Sequence, residues 1–392
     1  MEEQTLPRLV IATDNFIPRR DGITRFLDTV LPHLKQHFQI TIICPDFQSN
    51  NINMEGIEFL RIPLSDRYIG DFKPAKIRWM AISKQINKAD IVFTQTIGPI
   101  GAIALYFGYR KHKKTVAFIH SIEWQLVSQS TTNFMFKKLF SIHVKWITRF
   151  LYNKCDNLIV PSENIADFLS WEKIITTKKV IHLGVDTKKF IPFYLNEKRP
   201  LIRQKYNISP DDVVIGYHGR ISPEKDIRTL VRAFAMLRRK YPKLKLMLVG
   251  SGIPSLVEIF KSQSGVIHVP NVENVEDYIS AMDIYCLPSL TETTSLSTLE
   301  AMSCSLPVVT TGVGFIKEYV KDKQNGFIFN KKDSYGLADK LEKLYKNKEL
   351  RSSFGAASRD VVERDFRWEK TQDELVKFLK QLYEETKLKN KK

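Results

Sequence analysis

Two cations stand close together after an apolar run in the second half of the chain. The segment VVIGYHGRISPEKD, residues 213–226, places Gly219 and Arg220 at the end of that run and Lys225 five positions after the arginine. Gly219 permits a sharp backbone turn, so we expect both cations to point past the strand end. Both cations suit a diphosphate, whose negative charge grows as a bond to it breaks. Each well-placed cation would stabilise that growing charge by about 3 kcal/mol. The alternative is two surface cations at a helix start, where the helix dipole disfavours them.

Two glutamates follow in the segment PSLTETTSLSTLEAMSCSLPVV, residues 288–309. We expect Glu292 in a loop after a strand and Glu300 on the next helix, with Thr294 or Ser295 as the N-cap. The amides of the first helical turn, around Ser295–Ser297 and including that of Leu296, would then form a phosphate site. A carboxylate accepts two hydroxyl hydrogens, so Glu300 suits a ribose diol and Glu292 a sugar. The alternative is that both are surface acids.

Short β-branched runs that alternate with helical patterns must position these residues. We predict strands at residues 9–12, 39–44, 57–62, 91–94, 116–120, 157–160 and 180–182 in the first half. In the second half we predict strands at 213–218, 244–249, 266–269, 284–287, 308–310 and 326–329. Unbroken apolar runs indicate strands that are buried on both faces. With helices between them, they predict an α/β protein with doubly wound parallel sheets.

A length of 392 residues favours two domains over a single core. The series of strands restarts after a polar stretch at residues 194–210, where we place a linker. We therefore predict two Rossmann-like domains, over residues 1–193 and 194–365. Residues 366–392 form a C-terminal helix that packs toward the first domain and ends in a basic tail. Two such domains facing each other would leave a central cleft at the carboxyl ends of the strands.

Composition narrows the class of protein. The chain is 43% hydrophobic and 26% charged, as in soluble globular proteins, and no apolar stretch is long enough to cross a bilayer. The N-terminus has acidic residues where a signal peptide has basic ones, so we expect a cytoplasmic protein. The four cysteines show no CxxC spacing, so we expect neither a metal site nor disulfides. The net charge of +17 indicates an anionic partner. A basic nucleic-acid-binding protein is the less favoured alternative, because we find no nucleic-acid-reading module and expect no such partner.

These motifs together resemble the retaining glycosyltransferases of family 4, which have the two-domain GT-B fold. The resemblance rests on Gly-Arg-x4-Lys from Gly219, Glu-x7-Glu-Ala-Met from Glu292 and PVVTT from Pro307. The segments at 180–190, 246–252 and 271–289 extend it over nearly the whole chain. It implies that Arg220 and Lys225 hold the diphosphate of a nucleotide sugar, that Glu292 contacts the donor sugar and that Glu300 contacts the ribose.

The first half of the chain is the acceptor side in that family. The segment TDNFIPRRDGITRF, residues 13–26, resembles the family's glycine loop, and Gly22 is the glycine that carries over. The segment HSIEW, residues 120–124, is similar to the family's His-Gly-x-Glu, which makes His120 a candidate beside the reacting sugar. Taken alone, a histidine at a strand end is as well explained by a structural role. Asp14 and Glu123 are weaker candidates.

The resemblance implies transfer of a hexose, of the UDP-glucose or GDP-mannose type, with retention of anomeric configuration. The acceptor attacks on the face from which the diphosphate leaves, and the departing phosphate oxygen takes its proton. The chain lacks an Asp-x-Asp metal motif. We expect no metal and no cofactor besides the nucleotide-sugar co-substrate, because Arg220, Lys225 and a helix N-terminus replace the ion.

A basic amphipathic helix is predicted at residues 134–152, within a region, residues 101–150, that holds eight Lys or Arg and one acid. Its cations are Lys137, Lys138, Lys145 and Arg149. One interpretation is a helix at the surface of an anionic membrane, peripheral on the inner face of the cell membrane, which implies a membrane-lipid or lipid-linked acceptor. The other is a core-packing helix with a solvated face, which leaves a soluble or polysaccharide acceptor open.

Overall fold

The computed structural model describes residues 6–19, 22–47, 53–66, 73–124 and 134–390, with the backbone alone for residues 134–140 and 389–390. The chain divides into two compact units. The first unit contains Met1–His182 and Thr371–Lys392, and the second contains Leu183–Lys370.

The first unit is built on a seven-stranded parallel sheet with the order β3-β2-β1-β4-β5-β6-β7. Its strands are β1 Arg8–Ala12, β2 Gln39–Asp46, β3 Ile57–Pro63, β4 Ile91–Thr94, β5 Lys114–Phe118, β6 Asn157–Val160 and β7 Lys178–Val180. All four residues of β4 are buried, as the apolar run predicts. The order of strands reverses between β1 and β4, and we call the carboxyl ends of such a pair a switch point.

Five helices are described between these strands. They are α1 Gly22–Leu34, α2 Trp79–Lys88, α3 Pro99–Arg110, α4 Phe134–Tyr152 and α5 Glu163–Trp171. In α1 the apolar side chains Phe26, Leu27, Val30 and Leu31 recur at helical spacing and are all buried. Helix α5 begins after Ser162, whose hydroxyl accepts a hydrogen bond from the Ile165 amide.

The second unit is built on a six-stranded parallel sheet with the order β10-β9-β8-β11-β12-β13. Its strands are β8 Val213–His218, β9 Leu244–Val249, β10 Val266–Val269, β11 Ile284–Leu287, β12 Val308–Thr311 and β13 Gly326–Phe329. The switch point of this sheet lies between β8 and β11. Both strands are buried along their whole length.

The helices of the second unit follow the same alternation. They are α6 Arg199–Lys205, α7 Ile227–Lys240, α8 Pro254–Lys261, α9 Val275–Ser280, α10 Leu296–Ser303, α11 Ile316–Tyr319, α12 Ser334–Lys346 and α13 Lys348–Asp365. Short 3-10 helices lie at Phe193–Leu195 and Pro223–Lys225.

The predicted strands are present in both halves, with two shifts. The strands expected at 116–120 and 180–182 are Lys114–Phe118 and Lys178–Val180, so each begins and ends two residues earlier. His120 therefore lies in the loop after β5 and not on the strand.

The stretch at 194–210 is integrated into the second unit. Arg199 and Arg203 both form ion pairs with Asp283, over 2.7 and 3.1 Å. Arg203 also donates hydrogen bonds to the carbonyls of Ala281, Ser209 and Asp212. These contacts attach the stretch to the sheet, and the units divide earlier, between His182 and Leu183.

The last helix, α14 Trp368–Asn390, belongs to the first unit from Thr371 onward. Leu375, Leu379 and Leu382 are buried along one face. The Thr371 hydroxyl donates to the carbonyl of His182 over 2.7 Å.

Candidate active site

The switch point of the second unit brings the predicted charged residues together. Gly219, Arg220 and Lys225 follow β8, and Glu292 lies in the loop after β11, so the two loops leave neighbouring strands. Open α/β sheets bind ligands outside the carboxyl ends of such strands. The backbone amide of Leu290 donates to the carbonyl of Glu224 over 2.8 Å, which ties one loop to the other.

Gly219 makes the turn after β8 possible. Its φ of +135° is disfavoured for residues with a side chain. The adjacent Gly250 has the same φ, and a Cβ there would lie 2.1 Å from the carbonyl oxygen of Gly219. The Tyr217 hydroxyl donates to the carbonyl of Arg220 over 2.7 Å and fixes the turn. The Arg220 guanidinium donates to Glu224 Oε1 over 2.7 Å, so the charge of Arg220 is paired with that of a carboxylate.

The second cation also faces an acid. Lys225 Nζ lies 2.5 Å from Glu292 Oε1, and the Ser289 hydroxyl donates to the same oxygen over 2.7 Å. Gly314 supports the Glu292 backbone closely, since a Cβ there would lie 2.0 Å from the Glu292 carbonyl oxygen. The structure therefore holds Lys225 and Glu292 at fixed positions beside one another.

The N-terminus of α10 opens at the same switch point. Ser295 is the N-cap, and its hydroxyl accepts a hydrogen bond from the Thr298 amide. Leu296 is the first helical residue, so its amide belongs to the turn that has no intrahelical carbonyl to bind. Thr294 Oγ1 is buried and has no hydrogen-bond partner among the described residues. A helix N-terminus with free donors favours an anion.

The carboxylate of Glu300, which the sequence predicts to contact a ribose, is buried and paired with His218. Its Oε2 lies 2.7 Å from His218 Nε2, and both side chains are 3% exposed. A carboxylate can only accept, so His218 Nε2 carries the hydrogen unless the acid is protonated. His218 is a site residue that the sequence motifs did not indicate. The available signal was a polar residue that ends an apolar strand immediately before Gly219.

The switch point of the first unit contains Asp14, after β1. Its carboxylate accepts hydrogen bonds from the Thr96 hydroxyl and from the amides of Ile100 and Gly101, over 2.7, 2.8 and 3.1 Å. Burial raises the pKa of Asp14, and these hydrogen bonds oppose that shift. Asp14 thus caps the N-terminus of α3.

Gly22 is the first residue of α1, and a Cβ there would have no atom within 4 Å among the described residues. The preceding residues 20–21 of the expected glycine loop lie outside the described residues.

His120 lies in a neutral, largely apolar setting. Its ring stacks on Phe118 with centroids 4.4 Å apart and meets the edge of Phe26 at 5.1 Å. Its Nε2 lies 2.8 Å from Gln95 Oε1. Burial lowers the pKa of His120 to about 3, so the imidazole is neutral at physiological pH. Gln95 is a second site residue that the sequence did not indicate.

Glu123 pairs with a residue from α4. The Tyr152 hydroxyl donates to Glu123 Oε1 over 2.7 Å, and Glu123 Oε2 is buried with no partner in the described part of the chain. Burial raises the pKa of Glu123 to about 7, and the hydrogen bond from Tyr152 opposes that shift.

The cations predicted to bind a membrane are partly engaged within the first unit. Lys145 forms an ion pair with Glu172 and lies 5.8 Å from the centre of the Trp124 ring. Arg149 Nε donates to the carbonyl of Glu172 over 3.0 Å. The side chains of Lys137 and Lys138 lie outside the described residues.

Apolar side chains occupy the exposed face of α4. Ile147 is exposed together with Ile142, Trp146 and Phe150, whereas Leu151 is buried. Among the helices of the described chain, none combines the length and apolar character that crossing a membrane requires. All four cysteines are buried free thiols.

Comparison with known proteins identifies the class. Residues 198–361 match the family described as Glycosyl transferases group 1, and residues 20–189 match Glycosyltransferase Family 4. The alpha-monoglucosyldiacylglycerol synthase of Streptococcus pneumoniae is 25% identical over 82% of this chain and 75% of that protein. The capsular polysaccharide biosynthesis glycosyltransferase CapM of Staphylococcus aureus is 27% identical over 57% of this chain and 62% of that protein.

The fold has solved counterparts. The structure is similar to that of Anabaena HepE, which was crystallised in complex with UDP. The TM-score is 0.78 and the sequence identity 15%, and the match covers 95% of this chain and 100% of HepE. The chain thus has the GT-B fold of two Rossmann-like domains. It belongs to glycosyltransferase family 4 and is a hexosyltransferase.

Proposed function

We propose that this enzyme transfers a hexose from a nucleotide-diphosphate sugar to a membrane-lipid or lipid-linked acceptor, with retention of configuration and without a metal ion. The observation that carries the proposal is the convergence of Arg220, Lys225, Glu292 and the N-terminus of α10 at one switch point. Two cations and free helix amides can bind a diphosphate there.

The ion pairs at this switch point suggest how the donor binds. Arg220 and Lys225 are held by Glu224 and Glu292, so both cations are in place before a diphosphate arrives. Phosphate oxygens then replace the carboxylates as their partners. Glu292, released from Lys225, accepts hydrogen bonds from sugar hydroxyls. The N-terminal turn of α10 binds phosphate through the amide of Leu296, whereas the Ser295 amide already donates to the Tyr319 hydroxyl over 3.3 Å.

The reaction needs no protein nucleophile. The bond between C1 of the sugar and the diphosphate oxygen breaks, and its electron pair stays on the diphosphate. The acceptor oxygen bonds to C1 on the same face, and its proton passes to the departing phosphate oxygen. Arg220 and Lys225 stabilise the negative charge that develops on that oxygen, a role that a divalent metal ion has in metal-dependent glycosyltransferases.

An exposed aromatic surface on the first unit supports a membrane-bound acceptor. We define the aromatic surface as the exposed residues Trp79, Met80, Tyr106, Tyr109, Trp146 and Phe150, from α2, α3 and α4. Met80 is 88% exposed and Trp146 66% exposed. Exposed clusters of this kind are uncommon on proteins that meet only water.

Rings of the aromatic surface lie close to one another and to a lysine. The rings of Trp79 and Tyr106 lie 6.2 Å apart, and those of Trp146 and Phe150 lie 6.1 Å apart. Lys154 Nζ lies 4.9 Å from the centre of the Tyr109 ring and 5.9 Å from that of Phe150, which joins α3 to α4. Aromatic rings beside cations suit the interface of an anionic bilayer.

The two relatives named above differ in the acceptor that their names indicate. One is named for glucosylating diacylglycerol and the other for capsular polysaccharide biosynthesis. The match to the first covers more of this chain, and the aromatic surface agrees with it, so we favour a lipid acceptor on the inner face of the cell membrane. A soluble or polysaccharide acceptor is the second candidate.

The test is a donor and acceptor screen. The purified protein is incubated with UDP-, GDP- and ADP-sugars and with vesicles of phosphatidylglycerol or phosphatidylcholine, each with and without diacylglycerol. We expect a glycolipid from one donor base, more with phosphatidylglycerol vesicles, the donor's anomeric configuration in the product, and no loss of rate with EDTA. Transfer to soluble oligosaccharides with no glycolipid contradicts the lipid acceptor. Inversion contradicts retention, and loss of rate with EDTA contradicts metal independence.

Vesicle binding tests the aromatic surface separately. The double variant Tyr106→Ser/Trp146→Ser should weaken binding to phosphatidylglycerol vesicles about tenfold, equivalent to about 1.4 kcal/mol. The matched control is Tyr335→Ser, which removes an exposed tyrosine from the second unit. Equal binding by the double variant and the control would show that the aromatic surface does not meet the membrane.

A further inference from the structure

A glutamine at the switch point of the first unit is left with unused hydrogen-bond donors. Gln95 directly follows β4, and its backbone amide donates to the carbonyl of Ala12, at the end of β1, over 2.9 Å. The residue is 1% exposed. Its backbone is thus fixed between the two strands where the strand order reverses.

The two ends of the Gln95 amide have different surroundings. Oε1 lies 2.8 Å from His120 Nε2, whereas Nε2 is buried and has no hydrogen-bond partner among the described residues. Burying an NH₂ group without acceptors is unfavourable, and native proteins rarely tolerate it without a function. A leucine would fill the same space without leaving donors unpaired.

The contact with Gln95 also determines the tautomer of His120. An amide oxygen can only accept, so the hydrogen of the neutral imidazole lies on Nε2 and His120 Nδ1 is an acceptor. The rings of Phe118 and Phe26 hold the imidazole in its plane. Gln95 therefore sets which imidazole nitrogen can accept a hydrogen bond.

We propose that Gln95 is a sugar-binding residue of the transferase, whose side-chain NH₂ donates to a hydroxyl of the reacting sugar while its oxygen holds His120 as the Nε2–H tautomer. The inference rests on the proposed function, because a sugar must reach this switch point. It adds a neutral donor, the side-chain NH₂ of Gln95, that orients a sugar hydroxyl without introducing charge.

Two variants separate the roles of the amide. Gln95→Glu keeps an oxygen facing His120 and removes the NH₂ donors, whereas Gln95→Leu removes both. Gln36→Glu is the matched control, an exposed glutamine in the same unit. We expect Gln95→Glu to lower kcat/KM for donor turnover at least about tenfold, which corresponds to one lost hydrogen bond, and by more than any change in Tm accounts for. Gln95→Leu should lower it further, and Gln36→Glu should match wild type.

Nitrogen NMR of the His120 ring supplies a readout that activity does not. Wild type should show the Nε2–H tautomer at neutral pH, and Gln95→Leu should lose that preference. Wild-type turnover by Gln95→Glu, a Tm loss that accounts for the lost activity, or the Nδ1–H tautomer in wild type would each overturn the inference and leave the proposed function standing. A wild-type protein that turns over no sugar nucleotide would overturn the proposed function, and this inference with it.

Discussion

The two units place different chemistry at the same position of the same kind of sheet. At the switch point of the second unit, Arg220 and Lys225 each meet a carboxylate. At that of the first unit the acid, Asp14, is used to cap α3, and the neutral side chains of Gln95 and His120 pair with each other. The first arrangement suits a ligand that carries charge, and the second a ligand that carries hydroxyl groups.

Burial explains why the two arrangements behave differently. Around His120 burial lowers the pKa and keeps the imidazole neutral. Lys225 remains 21% exposed at its side chain and has Glu292 beside it, so its charge is compensated until a ligand takes over. The residues in the loops after the strands can thus make a sheet edge a charged or a neutral site, without any change of fold.

Replacing Lys225 should have the largest effect. Lys225→Met keeps the length of the side chain and removes the charge, and kcat should fall about 100-fold because the leaving diphosphate loses a donor. Steady-state kinetics with the identified donor measures the change. Lys240→Met, which removes an ion pair with Glu342 elsewhere in the second unit, is the control. A decrease of less than about threefold in kcat would show that the charged switch point is not where the diphosphate sits.

Glu300→Gln should have a smaller effect that falls on binding. The amide still accepts a hydrogen bond from His218, so the buried pair keeps its shape, but a ribose diol loses a charged acceptor. We expect the KM for the donor to rise about tenfold and kcat to stay within about threefold. Glu258→Gln, on the exposed face of α8, controls for the loss of a negative charge. A change confined to kcat would place Glu300 at the reacting atoms instead of the ribose.

The sequence predicted the charged site better than the neutral one. Arg220, Lys225, Glu292 and Glu300 occur at fixed spacing beside recognisable strand ends, and charged residues in such places are unusual enough to notice. Gln95 lies in an ordinary polar run after a strand, and its partner His120 is 25 residues away. Neither residue type nor spacing indicates that one end of that amide is unpaired, because this depends on the packing of side chains.

Long-range partners also explain the errors in element boundaries. Lys114 and Thr115 begin β5 although both are polar, because the Thr115 amide and hydroxyl each donate to Asp156 over 2.9 Å and Lys114 lies 3.7 Å from the same carboxylate. The stretch at 194–210 looks like a linker because it is polar, yet Arg199 and Arg203 bind Asp283, about 80 residues later. Hydrophobic periodicity indicates which residues are buried, but it does not indicate which polar residues pair with each other over such distances.

Glu123 gives the smallest expected effect, a change in how stability depends on pH. Its pKa is raised to about 7 in the folded protein by burial, whereas in the unfolded chain it returns to the ordinary value of 4.5. Between these values the folded state binds more protons than the unfolded state, so stability falls as pH rises from 4.5 to about 7 and stays lower above it. Glu123→Gln removes this titration and keeps an acceptor for the Tyr152 hydroxyl.

Thermal unfolding at pH 5 and pH 8 measures the difference. Relative to Glu123→Gln, the wild-type Tm should be lower at pH 8 than at pH 5 by several degrees. The raised pKa removes roughly 2–3 kcal/mol of stability over this range, and each 1 kcal/mol shifts the Tm of a unit of this size by about 2–4 °C. Glu384→Gln, at an exposed position of α14, should show no such change relative to wild type. If the Tm offset between wild type and Glu123→Gln is the same at both pH values, the Glu123 carboxyl is not shielded from water, and the neutral, buried character assigned to this side of the first unit does not extend to Glu123.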